Sequence, residues 1–215
     1  MHETTGSFAF IDLVGYTAAS WTHGDHTAAR LSIRLSEIAA EVTGAADELV
    51  KSIGDAVMVR SPGPRQMLGL IGRIWEICDR EPLFPRLRAG AHHGPVVEHG
   101  GDYYGTTVNI AARVAERAAA DEILITAAMG AAAQAAGWRV QLLGPTDLRN
   151  LGEPIELARL EHTTCGAIHI DPVCFMRVDP EDPATIALHE DHDEVFFCST
   201  QCAATYRRAG PTPES

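Results

Sequence analysis

The sequence lacks the features of a membrane or exported protein. No apolar run approaches the ~20 residues that a helix needs to cross a bilayer. The opening residues, MHETTGS, do not pair a basic segment with an apolar one, as a secretory signal would. We therefore expect a cytoplasmic protein with no membrane partner.

Basic residues are also scarce. Lysine and arginine number 17 against 29 aspartates and glutamates, which gives a net charge of −12 at pH 7. A negative field repels nucleic acid unless basic residues cluster locally, and the sequence contains no basic run. This charge balance argues against a nucleic-acid partner.

Cysteine is too sparse, and odd in number, for a disulfide framework. The five cysteines are at positions 78, 165, 174, 198 and 202, and three of these are in the last fifth of the chain. Reduced thiols with a role in metal binding fit this distribution better than disulfides do. With 46% hydrophobic and 21% charged residues, the chain can bury a core without such crosslinks.

The length of 215 residues allows one domain of ordinary size and a second, smaller unit. Residues 161–167, EHTTCGA, show neither a helical nor a strand period and predict a linker. We therefore divide the chain into domains at 1–162 and 163–215.

Hydrophobic periodicity predicts an α+β fold for the first domain. The predicted helices are 27–42, 67–78 and 106–119. The predicted strands are 7–13, a hairpin at 48–60, a pair of short strands in 87–98 broken at residues 92–95, and single strands at 122–126 and 155–160. The first six elements follow the order βαββαβ, which predicts a ferredoxin-like layer of helices on a mostly antiparallel sheet.

Two short motifs place aspartates at strand ends. In FIDLVGYT, Asp12 ends a strand, and the backbone N–H groups of Gly15, Tyr16 and Thr17 at a helix start can bind a phosphate. In KSIGD, Asp55 lies in the turn of the predicted hairpin. An aspartate in a turn is usually only a turn former, but two strand-end carboxylates brought together favour hard cations such as Mg²⁺.

A third motif, DYYGTTVNIAAR, places polar side chains on an apolar helix. Asn109 and Arg113 are four residues apart and therefore project from one face. One interpretation is an exposed polar stripe. The helix is otherwise rich in small apolar residues, so most of it is expected to be covered, and a polar pair there needs partners that a nucleotide could supply.

Over residues 7–160, these segments resemble the class III adenylate and guanylate cyclases in order and in spacing. Six side chains carry the chemistry of that family, and the matching positions here are Asp12, Lys51, Asp55, Asp102, Asn109 and Arg113. The segment LRNLGEPIELARL also resembles the closing strands of the family. Arg149 in that segment is a further candidate for contact with the triphosphate.

The resemblance implies that Asp12 and Asp55 hold two Mg²⁺ or Mn²⁺ ions in each active site. It also implies that Lys51 and Asp102 contact adenine. A lysine donor and an aspartate acceptor match the acceptor N1 and the exocyclic amine of adenine, whereas guanine presents the opposite pattern. The expected substrate is ATP, and the expected products are 3′,5′-cyclic AMP and pyrophosphate.

By the same resemblance, Asn109 orients the ribose and Arg113 stabilises the pentavalent phosphorus. In the family, each site takes its metal-binding acids from one subunit and its other residues from a second, so we expect a homodimer. The alternative is a catalytically silent cyclase fold that serves as a metal-responsive sensor or a partner-binding module.

The C-terminal residues contain a separate cysteine motif. Cys198 and Cys202 are four apart at the start of a predicted helix, so their sulfurs can converge, and Cys174 can reach them from a preceding strand. Three thiolates favour Zn²⁺ or another soft metal. The segments DPVCFM and FCSTQC resemble the YHS family of small metal-associated modules, in which glycine stands at the position of Phe175.

We expect this unit to be a small Cys-rich module of a β-hairpin and a helix. Its candidate fourth metal ligands are His169, His189 and His192, and the sequence does not choose among them. A structural zinc site, unmetallated thiols and a metal that modulates the cyclase all remain open.

Overall fold

The computed structural model describes residues 1–162, 169–190 and 193–209. The strands of the first domain are β1 His2–Leu13, β2 Glu48–Ile53, β3 Ala56–Ser61, β4 Leu87–His99, β5 Asp102–Tyr104, β6 Glu122–Thr126, β7 Arg139–Thr146 and β8 Ile155–Glu161. Its helices are α1 Tyr16–His23, α2 Asp25–Val42, α3 Pro64–Cys78, α4 Thr106–Arg117 and α5 Gly130–Ala135. No helix in the described part of the chain is long and apolar enough to cross a membrane.

The α+β prediction is confirmed by the sheet. Its strand order is β2-β3-β1-β4-β6-β8-β7, and β5 pairs with β4 outside this path. Every pairing is antiparallel except that of β4 with β6. The first four strands therefore lie in the order 2-3-1-4, as the βαββαβ pattern predicts, and the later strands extend the sheet.

Two details of the first half differ from the prediction. The helix expected at 27–42 begins at Asp25 and follows a separate short helix, α1. Gly24, at φ 81°, separates the two helices, because this backbone conformation is open to glycine and costly for other residues.

The predicted break at residues 92–95 is wrong, because β4 is one continuous strand. It pairs with β1 from Leu87 to Glu98, and its pairing with β6 ends at Ala91. Between Ala91 and Val97, where pairing with β5 begins, β4 has a free side in the described sheet, and a proline such as Pro95 is tolerated there.

Strand β7 was not predicted. It is a largely exposed edge strand that contains both Gly144 and Pro145, two residues typical of turns.

The main core lies between the sheet and helices α2, α3 and α5. Alternate residues of β1, namely Ala9, Ile11 and Leu13, point into it and are at most 2% exposed. The helix predicted at 67–78 is α3, and its residues Met67, Leu68, Leu70, Ile71, Ile74, Trp75 and Cys78 are buried. Cys78 is therefore a core residue.

A smaller apolar cluster covers the opposite face of the sheet. Phe8 of β1 packs against Tyr103 of β5, with ring centroids 5.1 Å apart, and Ala111 brings α4 onto the same cluster. The Tyr103 hydroxyl donates a hydrogen bond of 2.7 Å to Glu48, which holds β5 against β2. By the two-residue period of β1, Asp12 lies on this face of the sheet with Phe8.

The C-terminal residues form the predicted hairpin-and-helix module. Its elements are β9 His169–Ile170, β10 Arg177–Val178, β11 Ile186–Glu190, β12 Asp193–Phe197 and α6 Thr200–Ala209. Strands β9 and β10 pair with each other, as do β11 and β12. The predicted linker begins at Glu161, which belongs to β8, and continues into residues 163–168, which lie outside the described residues.

The module packs on the first domain through a buried arginine. Arg177 is 6% exposed; its guanidinium pairs with Asp79 and lies 3.0 Å from Asp121. Its backbone N–H donates to the carbonyl of Phe84 at 3.2 Å. A buried charge of this kind requires partners, so the contact ties the module to one orientation on the domain.

Helix α4 lies very close to β4 at Gly90. A Cβ atom added to Gly90 would lie 1.9 Å from the backbone nitrogen of Ala115. We expect Gly90→Ala to lower the free energy of unfolding by about 3 kcal/mol, because two backbone segments must separate. Urea unfolding measures this change.

Gly130→Ala is the matched control, because Gly130 has helical dihedrals and no atom lies within 4 Å of its added Cβ. Its stability should stay equal or rise slightly. Equal stabilities of the two variants would contradict the close packing of α4 on β4.

Candidate functional site

The two predicted metal acids lie together at one end of the sheet. Asp12 is the penultimate residue of β1, and Asp55 lies in the turn between β2 and β3. The N–H of Leu13 donates to the carbonyl of Asp55 at 3.2 Å, which joins the strand end to the turn. Burial raises the pKa of Asp12, the hydrogen bond from Arg88 lowers it, and the neighbouring charge of Asp55 raises it again. Two adjoining carboxylates of this kind require a positive charge nearby.

Arg88 of β4 supplies a positive charge in the structure. It lies opposite Asp12 in the β1–β4 ladder, and its Nε donates to Asp12 Oδ2 at 2.7 Å. The sequence did not reveal this residue, because only the strand register brings it to Asp12. The two acids offer oxygen ligands of the kind that Mg²⁺ and Mn²⁺ prefer. The Arg88 guanidinium lies where a bound cation would balance their negative charge.

The candidate phosphate turn follows directly after β1. Gly15, at φ 81°, precedes α1, and its carbonyl accepts the N–H of Ala19 at 2.9 Å. The first N–H groups of a helix, here those of Tyr16 and Thr17, have no acceptor within the helix. No side chain caps them, so they can serve an anion.

The two residues that the sequence assigned to adenine contact each other. Lys51 Nζ lies 2.7 and 2.5 Å from the two carboxylate oxygens of Asp102. The hydrogen bond from Lys51 lowers the pKa of Asp102, and the N–H of Tyr103 donates to the same carboxylate at 2.8 Å. Both side chains keep some exposure, 39% for Lys51 and 28% for Asp102, so a ligand can reach them.

The polar pair on α4 faces outward. Asn109 is exposed, and the Arg113 guanidinium pairs with Glu116 one turn further along the helix. Arg149 Nη2 lies 3.8 Å from the other carboxylate oxygen of Glu116. Glu116 therefore lies between two arginines that the sequence assigned to the phosphates.

The six predicted side chains thus form three separate groups. They are the Asp12–Asp55 pair, the Lys51–Asp102 pair and the Asn109–Arg113 pair. Within residues 1–162, all of which the structure describes, no hydrogen bond or ion pair joins one group to another.

The three cysteines of the module converge, and their fourth neighbour is His23 of α1. The ligand atoms of His23, Cys174, Cys198 and Cys202 all lie within 4.8 Å of one another. The sequence suggested other histidines, because His23 is far from Cys174 in the chain and lies at the end of α1.

The histidines considered from the sequence have other neighbours. The ring of His169 packs against Phe196 with centroids 4.4 Å apart, and His189 lies 3.6 Å from Glu194. His192 and Cys165 lie outside the described residues.

The loop before Cys174 supports the cysteine cluster. Asp171 is buried; its carboxylate accepts the N–H of Val173 at 2.8 Å and that of Cys198 at 2.9 Å. Phe175 adopts φ 61°, a left-handed conformation that suits glycine, and its ring packs on Gly15. The turn therefore forms despite the phenylalanine.

The chain belongs to the adenylate and guanylate cyclase catalytic domain family, which matches residues 3–162. Residues 163–215 lie outside this match, so the YHS resemblance and the domain boundary stay predictions. Solved structures of similar fold include an adenylate/guanylate cyclase/hydrolase from Silicibacter pomeroyi, with a TM-score of 0.67 and 19% identity, which covers 75% of this chain and 99% of that one. Another is the adenylyl cyclase CyaB from P. aeruginosa, with a TM-score of 0.61 and 18% identity over 77% of this chain and all of that one.

Curated relatives in sequence are longer proteins. A pH-sensitive adenylate cyclase of Mycobacterium tuberculosis is 35% identical over 156 residues, which cover 71% of this chain and 39% of that protein. An adenylate cyclase of Streptomyces griseus is 32% identical over 120 residues, 55% of this chain and 30% of that one. The chain therefore matches less than half the length of these relatives.

Arg88 should compete with a divalent cation for Asp12. We expect Arg88→Gln to lower the melting temperature without metal, because the acids lose their compensating charge, and to increase the stabilisation by Mn²⁺. Thermal unfolding with and without Mn²⁺ measures both effects. Arg80→Gln is the control, since Arg80 pairs with Glu76 on the exposed surface of the protein. A Mn²⁺ effect equal to that of the wild type would refute the competition.

Proposed function

We propose that this protein is an adenylate cyclase that converts ATP to 3′,5′-cyclic AMP and pyrophosphate. The observation that carries the proposal is the Lys51–Asp102 pair, which puts an amine donor and a carboxylate acceptor side by side in a cyclase catalytic domain. The names of the relatives from Mycobacterium tuberculosis and Streptomyces griseus agree with this substrate.

Adenine recognition follows from the hydrogen-bonding capacity of this pair. The Lys51 ammonium can donate to N1 of adenine, and the Asp102 carboxylate can accept from the exocyclic amine. Guanine carries a donor at N1 and a carbonyl at the adjacent position, so both contacts would be mismatched. In the free protein the two side chains satisfy each other, and the base replaces that contact.

The phosphates require cations and N–H donors around them. Asp12 and Asp55 would hold two Mg²⁺ or Mn²⁺ ions, which neutralise phosphate charge and lower the pKa of the attacking 3′ hydroxyl. The N–H groups of Tyr16 and Thr17 would bind phosphate oxygens at the start of α1.

Arg113 and Asn109 act on the reacting centre in this proposal. The bond from the 3′ oxygen to the α phosphorus forms while the bond from that phosphorus to the pyrophosphate oxygen breaks. Arg113 would bind the α-phosphate oxygens as their charge increases, since its forked guanidinium is permanently charged. Asn109 would orient the ribose so that the 3′ hydroxyl faces the phosphorus.

The separation of the three groups supports a homodimer. The Asp12–Asp55 pair of one subunit would act with the Lys51–Asp102 and Asn109–Arg113 pairs of the other, so two equivalent sites would form about a twofold axis. This arrangement agrees with the lack of contact, within one chain, between the Asp12–Asp55 pair and the other two pairs.

The base preference is tested with purified protein, Mn²⁺ and either ATP or GTP. We expect cyclic AMP and pyrophosphate in equal amounts and a kcat/KM for ATP at least tenfold above that for GTP, because the mismatched base loses two contacts. Lys51→Met should reduce this preference. GTP turnover equal to that of ATP would exclude the assignment of the pair, and the absence of any cyclic product would favour a catalytically silent protein.

The composite site is tested by mixing two inactive chains. Asp12→Ala removes a metal ligand and Arg113→Ala removes a phosphate ligand, so either homodimer should be inactive. A mixed dimer would contain one intact site, and we expect up to about a quarter of wild-type activity after random exchange of subunits. A mixture that forms heterodimers, shown by differently tagged chains, and yet stays inactive would contradict the shared site.

A further inference from the structure

We propose that His23, Cys174, Cys198 and Cys202 form a zinc site shared by the two domains, and that bound zinc fixes the module to α1 and the turn before it. The site takes one ligand from the catalytic domain and three from the C-terminal module. It does not depend on the substrate or the activity of the cyclase.

The distances between the ligand atoms fit a tetrahedral metal. Cys198 Sγ lies 3.5 Å from Cys174 Sγ, 3.6 Å from Cys202 Sγ and 3.4 Å from His23 Nε2. A zinc ion with Zn–S bonds of about 2.3 Å places neighbouring sulfurs about 3.8 Å apart at tetrahedral angles. The sulfurs are also too far apart for disulfides, whose S–S bond is about 2.05 Å.

The surroundings of the cluster suit a structural metal site closed to solvent. Cys174 and Cys202 are fully buried, so a metal held there would be shielded from solvent. The buried carboxylate of Asp171 fixes the backbone of Cys198 through a hydrogen bond to its N–H. Three thiolates and one imidazole are a ligand set typical of structural zinc.

Further contacts hold α1 next to the cluster. Gln201 of α6 donates a hydrogen bond of 2.7 Å to the carbonyl of Thr22, the residue before His23. Ala19 of α1 is buried in the same apolar cluster as Phe197 and Cys202. His23 is therefore held beside the cysteine sulfurs by contacts that do not involve its ring.

The site connects to the phosphate turn through the same short helix. Helix α1 runs from Tyr16 to His23, so the candidate phosphate turn and the fourth ligand are at its two ends. Phe175, next to Cys174, packs on Gly15 at the start of the helix. Zinc would therefore hold the module against both ends of α1.

The first experiment measures the metal site directly. Full-length protein is stripped of metal in the presence of a reductant and titrated with Co²⁺, then with Zn²⁺. We expect one tetrahedral Co²⁺ per chain, identified by the visible bands of tetrahedral cobalt and a thiolate charge-transfer band, and its displacement by Zn²⁺. A wild-type chain that shows no tetrahedral, thiolate-bound Co²⁺ would overturn the proposal.

Two substitutions test the role of His23. His23→Ala should weaken zinc binding by about tenfold or more, since a tetrahedral site loses a ligand. His23→Cys should retain tight binding and raise the charge-transfer intensity by about one third, because four thiolates replace three. His26→Ala, a nearby exposed histidine of α2, is the control and should bind zinc as the wild type does. Equal zinc affinity and cobalt spectra for His23→Ala and the wild type would exclude His23 as a ligand.

The link to the phosphate turn is tested by hydrogen exchange without nucleotide. Zinc should slow amide exchange in residues 13–24 of the wild type by about tenfold or more, because α1 is then held at both ends. The effect should disappear in His23→Ala and persist in His26→Ala. Zinc protection of these residues that is the same in His23→Ala would refute the shared site, whatever the cyclase activity.

Discussion

The ladder between β1 and β4 is the interaction on which the rest of the structure depends. β1 lies between β3 and β4 and pairs with β4 along its whole length. Ala9, Ile11 and Leu13 lie in the main core, while Phe8 and Asp12 face the other side. A register shift of one residue would exchange these faces, burying Asp12 and exposing Ile11. The register therefore determines both the core and the candidate metal pair, and it also brings Arg88 to Asp12.

Local motifs were sufficient to find most of the candidate catalytic residues. Asp12, Asp55, Lys51, Asp102, Asn109 and Arg113 each stand in a short segment whose pattern indicates its place on a strand end, a turn or a helix. The structure places them in three groups, and their catalytic roles stay predictions. The βαββαβ order was accessible for the same reason, since hydrophobic periodicity is a property of neighbouring residues.

Contacts between residues far apart in the chain could not be predicted from the sequence. Arg88 meets Asp12 across 76 positions, and His23 meets Cys202 across 179. Neither residue stands in a distinctive segment, so only the folded chain selects it. Proline and glycine predicted a break in β4, because these residues disrupt a strand that is paired on both sides. Beyond Ala91, however, β4 stays paired with β1 and leaves β6, so the strand continues.

The contact of His23 with Cys202 also bears on the entropy of the unfolded chain. A metal bound by both residues closes a loop of 179 residues. In the chain-entropy description of crosslinks, a covalent closure of this length stabilises the folded state by about 5 kcal/mol, because the closed loop lowers the conformational entropy of the unfolded chain. A coordination bond can be removed by a chelator, which leaves a disulfide intact. Part of the folding free energy of the catalytic domain would then come from metal binding. The amount of folded protein would therefore depend on the concentration of available zinc.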